Sequence, residues 1–375
     1  MTLFFTLSGF LLYLPFAAAM ARGDPLPSIS RYFRNRALRI APAYWVILLV
    51  VTAVGAAAIR NAQGVLVQGR LAPLSLLQAG FLVQQYHRTT IQIGIGPAWS
   101  LAVEVVFYLV LPLIALAASR IPHRSAARRQ TILVLLVPPL LLLLVGLSGK
   151  FVSRFVVSGA ALDGYGTNWH SVIERSFWTQ ADLFTFGMIV AVVYVEVRDH
   201  HLELPANWRR FAVAVGLLVF LPSAWTMHRA ENSYRLQNTA EAFAIAALFA
   251  AIVMPRPADA EPLRVVRILE SRVFVAVGTA SYSLFLWHYP VILWLRARGL
   301  TADGAGGLLY NLVLTALVAG VLSALTYRFV EVPALRRKRS SGARWRGPGS
   351  TLTPVSEGGA APSSATDSAI EPSPS

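Results

Sequence analysis

The 375-residue sequence contains no cysteine, and charged side chains are scarce. Without cysteine the chain has no thiolate nucleophile, no disulfide and no thiolate metal ligand. Charged residues make up 14% of the chain, whereas 55% of the residues are hydrophobic and the mean hydropathy is +0.56. These values are rare in a soluble domain of this size. They predict an all-α, polytopic integral membrane protein.

Nine apolar segments predict nine transmembrane helices, most of them long enough to cross about 30 Å of hydrocarbon. They lie at residues 3–20, 41–59, 98–118, 131–148, 178–197, 211–225, 238–254, 273–295 and 307–329. No repeat of 20 to 50 residues is evident. We therefore expect one transmembrane domain over 1–335, followed by a disordered tail over 336–375 that is rich in Gly, Ser, Pro, Thr and Ala.

Basic residues outnumber acidic ones, 33 to 18, and their distribution follows the predicted helices. When successive connections are assigned to alternate sides of the membrane, 23 of the Lys and Arg residues fall on one side and 10 on the other. This asymmetry is typical of the positive-inside rule and predicts a cytoplasmic C-terminus. The net charge thus reflects topology, and we expect no nucleic-acid partner.

The same assignment places Met1 outside, although no cationic residue precedes the first apolar segment to hold it in that orientation. Ala17 to Ala19 resemble a signal-peptide cleavage site, but the positive region that normally precedes such a peptide is missing. We therefore expect a further helix upstream of Met1, which would give ten helices with both ends inside.

One apolar segment, PAWSLAVEVVFYLVLP at 97–112, contains a carboxylate. Ser100, Glu104 and Tyr108 follow each other at intervals of four and therefore share one stripe of the predicted helix. An ionisable group inside a membrane costs a few kcal/mol on insertion scales, which favours a functional role. A structural carboxylate paired with a neighbouring helix explains Glu104 equally well.

Three polar groups on different predicted helices lie at similar depth. At about 1.5 Å per residue, Glu104 lies about 8 Å and His288 about 10 Å below the outer ends of their helices, and Ser8 falls at a similar level. Ser281 and His288 are seven residues apart and so share a face. These positions predict a polar cavity near the outer surface.

Arg36 and Arg39 precede the second apolar segment and are three residues apart, so they share a face if a helix has begun there. Forked guanidinium donors suit phosphate oxygens. Anchoring to lipid headgroups is the simpler explanation of the same residues.

Other polar residues are expected to be structural. Asp182 and Glu241 lie near the ends of their predicted helices, so we expect both to be exposed to interfacial water. Glu331 lies among arginines at the end of the last helix and is expected to form a local ion pair. The apolar stretch 71–85 is too short to span a membrane and is predicted to be re-entrant or interfacial.

Taken together, five motifs resemble the bacterial acyltransferase type 3 family of multi-spanning membrane O-acyltransferases. The motifs are FFTLSGFLL at 4–12, RNRALRIAPAYW at 34–45, PAWSLAVEVVFYLVLP at 97–112, ASYSLFLWHYP at 280–290 and TYRFVEVP at 326–333. The resemblance implies transfer of an acyl group, commonly acetyl, from cytoplasmic acyl-CoA to a hydroxyl of a carbohydrate or another acceptor at or beyond the outer face.

Roles for individual residues follow from this resemblance and from the chemistry of acyl transfer, which needs a base and oxyanion donors. Glu104 and His288 are the candidate proton acceptor and orienting partner, in either order. Arg36 and Arg39 are the candidate acyl-CoA ligands. Ser8, Trp99, Ser100 and Tyr282 are assigned to the substrate site. We expect membrane lipid around the protein, no metal ion and no permanently bound cofactor.

The chain departs from the family pattern at its start. Family members begin with a helix that carries an arginine and, about ten residues later, the usual proposed catalytic histidine, and nothing in this sequence matches that helix. Either the start lies upstream of Met1 or the chain is a truncated, inactive relative. A transporter or flippase using Glu104 and His288 as proton-relay groups is the main rival, although no inverted repeat supports it.

Overall fold

The computed structural model describes residues 1–61, 63–121, 128–157, 166–226, 234–256 and 263–339. Helices account for most of these residues, which confirms the all-α prediction. The sheet that the described residues form is a single antiparallel hairpin in which Ala57 pairs with Gly69 and Arg60 with Leu66.

The elements follow each other along the chain as a series of long helices with short elements between them. They are α1 (Thr2–Arg22), α2 (Ile29–Ala53), β1 (Ala57–Arg60), β2 (Leu66–Gly69), α3 (Pro73–Gly80), α4 (Trp99–Ser119), α5 (Arg128–Phe155), α6 (Trp169–Glu174), α7 (Phe177–Gln180), α8 (Asp182–Arg198), α9 (Trp208–Thr226), α10 (Tyr234–Val253), α11 (Arg264–Leu269), α12 (Arg272–Ala297), α13 (Gly304–Thr326) and α14 (Val332–Arg339). A π-helical turn, Tyr327–Glu331, joins α13 to α14.

Each of the nine predicted apolar segments corresponds to a long helix: α1, α2, α4, α5, α8, α9, α10, α12 and α13. Within the described residues, six stretches are long and apolar enough to cross a membrane. They are Thr2–Arg22, Ile29–Ala53, Gly96–Ser119, Arg128–Phe155, Leu236–Val253 and Gly306–Arg337. The chain is therefore a polytopic membrane protein, while the predicted number of nine spans stays a prediction.

Helix α2 begins at Ile29, twelve residues before the start of the predicted segment at 41, and this prediction was wrong. Ser28 caps the helix, because its side chain accepts a hydrogen bond from the Arg31 backbone N–H at 3.5 Å. Such a cap satisfies one of the free amides of the first turn. As a consequence Arg36 and Arg39 lie two to three turns inside α2 rather than in front of it.

The connection between α2 and α4 holds the β-hairpin and the eight-residue α3. At 1.5 Å per residue α3 is only about 12 Å long, so the apolar stretch that contains it cannot span a membrane, as predicted. Leu74, Leu77 and Phe81 are exposed along it. Trp45 of α2 fixes the end of α3 by donating a hydrogen bond to the Gly80 carbonyl at 2.9 Å.

Helices α1 and α8 cross so closely that a side chain would not fit at the two contact positions, Gly9 and Gly187. A Cβ atom on Gly9 would lie 2.1 Å from the Phe184 carbonyl oxygen, and one on Gly187 would lie 1.8 Å from the Thr6 carbonyl oxygen. The Thr6 hydroxyl bonds across the contact to the Leu183 carbonyl at 3.3 Å. Small residues permit such close approach of membrane helices. Gly9, next to Ser8, therefore serves helix packing, and this contact fixes the rotation of α1.

The predicted tail begins at 336, where α14 is still helical, since that helix continues to Arg339. The remainder of the tail, 340–375, lies outside the described residues.

We predict that Gly187→Ala destabilises the protein, because the added methyl group has no space between α1 and α8. Overpacking of this kind costs about 1–3 kcal/mol. Gly320→Ala in α13 is the matched control, because no atom lies within 4 Å of the added Cβ there. At that position alanine gains up to about 1 kcal/mol from helix propensity. Thermal unfolding in detergent micelles should show shifts of opposite sign, and equal shifts would contradict the close contact.

Candidate active site

The carboxylate of Glu104 on α4 is held by a hydroxyl from α1. The Ser8 Oγ donates a hydrogen bond to Glu104 Oε1 at 2.6 Å. Counting residues from the helix ends had placed both groups at the same depth, and their contact confirms that count. Both residues are partly rather than fully buried.

Three more polar side chains surround this pair. The Tyr108 hydroxyl, one turn along α4, interacts with the Glu104 carboxylate. The Arg36 guanidinium of α2 lies 5.9 Å from the centre of the Tyr108 ring. Tyr32 lies one turn before Arg36, and its ring centre is 6.5 Å from that of Tyr108. We call Ser8, Tyr32, Arg36, Glu104 and Tyr108 the carboxylate cluster. It joins three helices around one acid.

The arginines of α2 therefore do not stand apart from Glu104. The positive charges of Arg36 and Arg39 both act on its carboxylate. The sequence had suggested a division, with the arginines at one membrane surface and the acid near the other. That picture depended on α2 beginning at 41. With the helix starting at Ile29, Arg36 lies about 10 Å along its axis. From there its positive charge acts on the acid without forming an ion pair with it.

Arg39 has its own counter-ion. Its Nη1 lies 3.2 Å from Glu331 Oε2, and the Glu331 side chain, 2% exposed, also accepts a hydrogen bond from Ser283 at 2.5 Å. The expectation of a local ion pair for Glu331 was wrong, because its partner is 292 residues away on α2. The π-helical turn that ends at Glu331 belongs to a class of irregularity that is frequent at functional sites.

Tyr282, assigned to the substrate site, lies in this second group. Its hydroxyl donates to the Ile40 carbonyl at 2.9 Å, and the Arg39 guanidinium lies over its ring at 5.6 Å. Tyr282 thus ties α12 to α2 beside Arg39. Whether it also touches a substrate stays a prediction.

Trp99 and Ser100 begin α4 on the far side of Glu104 from the arginines. Trp99 is in contact with the Phe5 ring at 6.4 Å and the Arg175 guanidinium at 5.4 Å. The Ser100 hydroxyl donates to the Pro97 carbonyl at 3.1 Å rather than to Glu104. The stripe Ser100, Glu104 and Tyr108 is therefore present, but only its last two members interact.

His288 lies on the wall of a cavity of about 730 Å³ between α1, α12 and α13. Phe4, Ser281, Arg296 and Asn311 also line this cavity, so Ser281 and His288 share a face as predicted. The Nδ1 of His288 bonds to the Phe285 carbonyl one turn earlier at 2.7 Å. Between these two described side chains, His288 and Glu104, no hydrogen bond is formed. Helix α1 connects the two places, because Phe4 lines the cavity and Ser8 binds the acid.

A separate polar group joins α5, α8 and α10. Lys150 forms an ion pair with Asp182, and Thr239 donates to the same carboxylate oxygen at 2.5 Å. Asp182 is fully buried, so its expected exposure to interfacial water was wrong. Its partner is a lysine on another helix, which a single sequence does not reveal. Glu241, nearby on α10, is partly buried and accepts a hydrogen bond from Thr2 at 3.3 Å.

Four residues near Glu104 or Arg39 were not assigned to the site: Tyr32, Tyr108, Ser283 and Glu331. Tyr108 had been placed on the stripe of Glu104 without a role. A signal for Tyr32 was present, because Tyr32, Arg36 and Arg39 are spaced by four and three residues and so share one face of a helix. It went unused because the helix was predicted to start later. For Ser283 and Glu331 the signal is tertiary, since each depends on a contact between distant helices.

The family described as an acyltransferase domain matches residues 1–327 of the chain. The chain belongs to this acyltransferase family. The resemblance inferred from the five motifs is thereby confirmed, and the carboxylate cluster lies wholly inside the matched region.

Two relatives are similar to this acyltransferase-family chain along most of its length. Both are named O-acetyltransferase OatA, from Staphylococcus aureus strains NCTC 8325 / PS 47 and COL, and each is 21% identical over 345 residues. These matches cover 89% of this chain and 52% of each relative, so the chain spans about half the length of the curated relatives it matches. No solved structure gives a significant match.

We predict a strong energetic coupling between Arg39 and Glu331. A charged hydrogen bond to a buried carboxylate contributes about 1.5–3 kcal/mol. A double-mutant cycle with Arg39→Ala and Glu331→Ala, measured by thermal unfolding in detergent, should give a coupling in that range.

The control is the Arg22 and Asp199 pair, whose atoms are similarly close at 3.0 Å but whose side chains are 46% and 17% exposed, against 35% and 2% for Arg39 and Glu331. Exposed pairs of this kind contribute about 0–1 kcal/mol. Equal coupling in the two cycles would show that burial of Glu331 does not strengthen its pair.

Proposed function

We propose that this chain is a membrane O-acyltransferase that moves an acyl group, most simply acetyl, from acyl-CoA to a hydroxyl of a cell-envelope or exported glycan or glycoside. The observation that carries the proposal is the carboxylate cluster: a partly exposed acid held by a hydroxyl beside two arginines of α2. Membership of an acyltransferase family and the names of the relatives support the reaction class. The donor, the acceptor and the acyl chain belong to the proposal.

The proposed sidedness follows from the distribution of basic residues. Arginines are concentrated at the end of α1 and in the first three turns of α2, and this region is assigned to the cytoplasm, together with α14. Acyl-CoA then approaches from the start of α2, and Arg36 and Arg39 bind it. The start of α4, with Trp99, faces the opposite side, from which the acceptor enters. Glu104 lies where the two approaches meet.

The chemistry balances with the groups present. The acceptor oxygen attacks the thioester carbonyl carbon while Glu104 accepts the hydroxyl proton, giving a tetrahedral intermediate with a negatively charged oxygen. The C–S bond then breaks, and the proton passes from Glu104 to the departing CoA thiolate. Ser8 fixes one oxygen of Glu104, so that the other oxygen is oriented toward the acceptor.

In this proposal His288 helps to bind the acceptor. The cavity that it lines has a volume in the range of small-molecule sites, about 300–1,000 Å³. A hydroxyl compound bound there would contact the imidazole on one wall, with α1 and its Ser8 forming part of the path to Glu104. His288 and Glu104 thus act on the same acceptor from different sides.

We predict that Glu104→Gln and His288→Ala each abolish O-acylation while leaving the protein in the membrane. Gln keeps the shape of Glu104 but cannot accept the proton, and general-base catalysis contributes about 10²–10⁴-fold. The measurement is alkali-labile acetate on cell-envelope glycan extracted from cells that express the protein. Wild-type acetate levels in either variant would remove that residue from the site.

A second prediction concerns the donor. Arg36→Ala combined with Arg39→Ala should raise the KM for acetyl-CoA at least about tenfold, because each charged contact contributes about 1.5–3 kcal/mol. Arg31→Ala with Arg210→Ala removes the same charge from two exposed positions assigned to the same side and should leave the KM unchanged. If both pairs of substitutions behave alike, the arginines of α2 serve only to anchor the protein to lipid headgroups.

A further inference from the structure

We infer that the Tyr32 hydroxyl, together with Nε of Arg36, forms the oxyanion site for the acyl carbonyl oxygen. This inference rests on the proposed function and assigns a specific step to two donors. The inferred role is stabilisation of the transition state, whereas the role proposed above for Arg36 and Arg39 is binding of acyl-CoA before the reaction.

The first observation is that both donors lack a partner. The Tyr32 hydroxyl and Arg36 Nε are buried from solvent, yet neither has a hydrogen-bond partner among the described residues. Buried polar groups are nearly always satisfied, and an unsatisfied one costs about 1–3 kcal/mol. The hydroxyls of Tyr13 and Tyr44 follow the rule, since each donates to a backbone carbonyl at 2.6 Å. The Thr52 and Ser171 hydroxyls are buried without a partner as well, so a ligand at Tyr32 is indicated by the position of its hydroxyl together with the missing partner.

The second observation is where the two donors lie. Tyr32 and Arg36 are four residues apart on α2, so they share one face of the helix. Their side chains meet the same neighbour, the ring of Tyr108, at 6.5 Å and 5.9 Å. The electrostatic field of the Glu104 carboxylate acts on the Tyr32 hydroxyl as well as on Arg36. Two donors and one acid thus converge from α2 and α4.

The third step is chemical. Two hydrogen-bond donors that have no acceptor within hydrogen-bond distance among the described residues suit an oxygen atom of the ligand that gains negative charge. In acyl transfer this atom is the carbonyl oxygen of the thioester, which becomes an oxyanion when the acceptor attacks. The acid that takes the proton and the donors that stabilise the oxyanion then lie on different sides of the reacting carbon. Fixed donors in a site with little water are well suited to this role, because they need no reorganisation during the reaction.

The position of these donors beside Glu104 favours a neutral acyl carbonyl over a phosphate at Arg36 Nε, and the other nitrogens of Arg36 remain for binding the rest of acyl-CoA. A phosphate beside Glu104 would place two anions close together, whereas a thioester is neutral until attack begins. Arg39, nearer the middle of α2, already has Glu331 as a counter-ion. A neutral carbonyl that becomes negative only in the transition state is therefore the better ligand for Tyr32 and Arg36 Nε.

The decisive variant is Tyr32→Phe, which removes one hydroxyl and nothing else. We expect kcat for acetyl transfer from acetyl-CoA to extracted cell-envelope glycan to fall about 100-fold, with little change in the KM for acetyl-CoA, as for the loss of one oxyanion donor. The thermal unfolding midpoint of the ligand-free protein should stay equal or rise, because the lost hydroxyl had no partner. A merely structural tyrosine would show the reverse pattern.

Tyr44→Phe is the matched control. It removes the same atom from another tyrosine of α2, but from one whose hydroxyl bonds to the Ala79 carbonyl. Its unfolding midpoint should fall while its kcat stays at the wild-type value. Arg36→Lys is a second variant, since it keeps the positive charge and removes the Nε–H, and it too should lower kcat.

The outcomes separate the two proposals. A Tyr32→Phe protein with wild-type kcat, or one with a raised KM and unchanged kcat, would overturn the oxyanion role while leaving the acyltransferase assignment intact. Absence of acetyl transfer by the wild-type protein would instead overturn the proposed function, and the oxyanion role with it.

Discussion

The close crossing of α1 and α8 is the constraint on which the candidate site depends. Two glycines, Gly9 and Gly187, let the backbones touch, and no larger residue fits at either position. Because this contact fixes the rotation of α1, it also fixes the direction of the adjacent Ser8, which binds Glu104. The geometry of the site thus depends on a packing contact between two backbones that contributes no functional side chain to the site.

The carboxylate cluster illustrates how a membrane protein keeps an acid usable. Glu104 is neither neutralised by a tight ion pair nor left alone in hydrocarbon: one hydroxyl bonds to it, a second interacts with it, and two arginines act on it from a distance. Asp182 shows the contrasting solution, a fully buried ion pair with Lys150. Removal of one member of such a pair leaves an uncompensated charge. Glu104 is partly exposed and suits a catalytic role, whereas Asp182 is fully buried and suits a structural one.

Much of the fold followed from the sequence, because hydrophobic length and charge asymmetry are local properties. The same holds for the similar depth of Ser8 and Glu104, which followed from counting residues from two helix ends, whereas their contact itself was not predicted. The pairing of Arg39 with Glu331 and of Asp182 with Lys150 was not predicted either, since each joins helices whose neighbours a single sequence does not specify. The proximity of Arg36 to Glu104 was missed for a local reason, the overlooked cap at Ser28. The predicted start of α2 was twelve residues too late, which corresponds to about 18 Å along the helix axis at about 1.5 Å per residue. Both arginines were therefore placed outside the helix.

The ion pair between Lys150 and Asp182 has a consequence for how the chain enters the membrane. On insertion scales a single Lys or Asp at the centre of a helix costs about 2.5–3.5 kcal/mol, and less near its end. Helix α8 has only 17 residues and carries Asp182 at its first position. Its partner lysine is made earlier, near the end of α5. The ion pair that offsets the cost of both charges can therefore form only after α8 has been synthesised and has packed against α5.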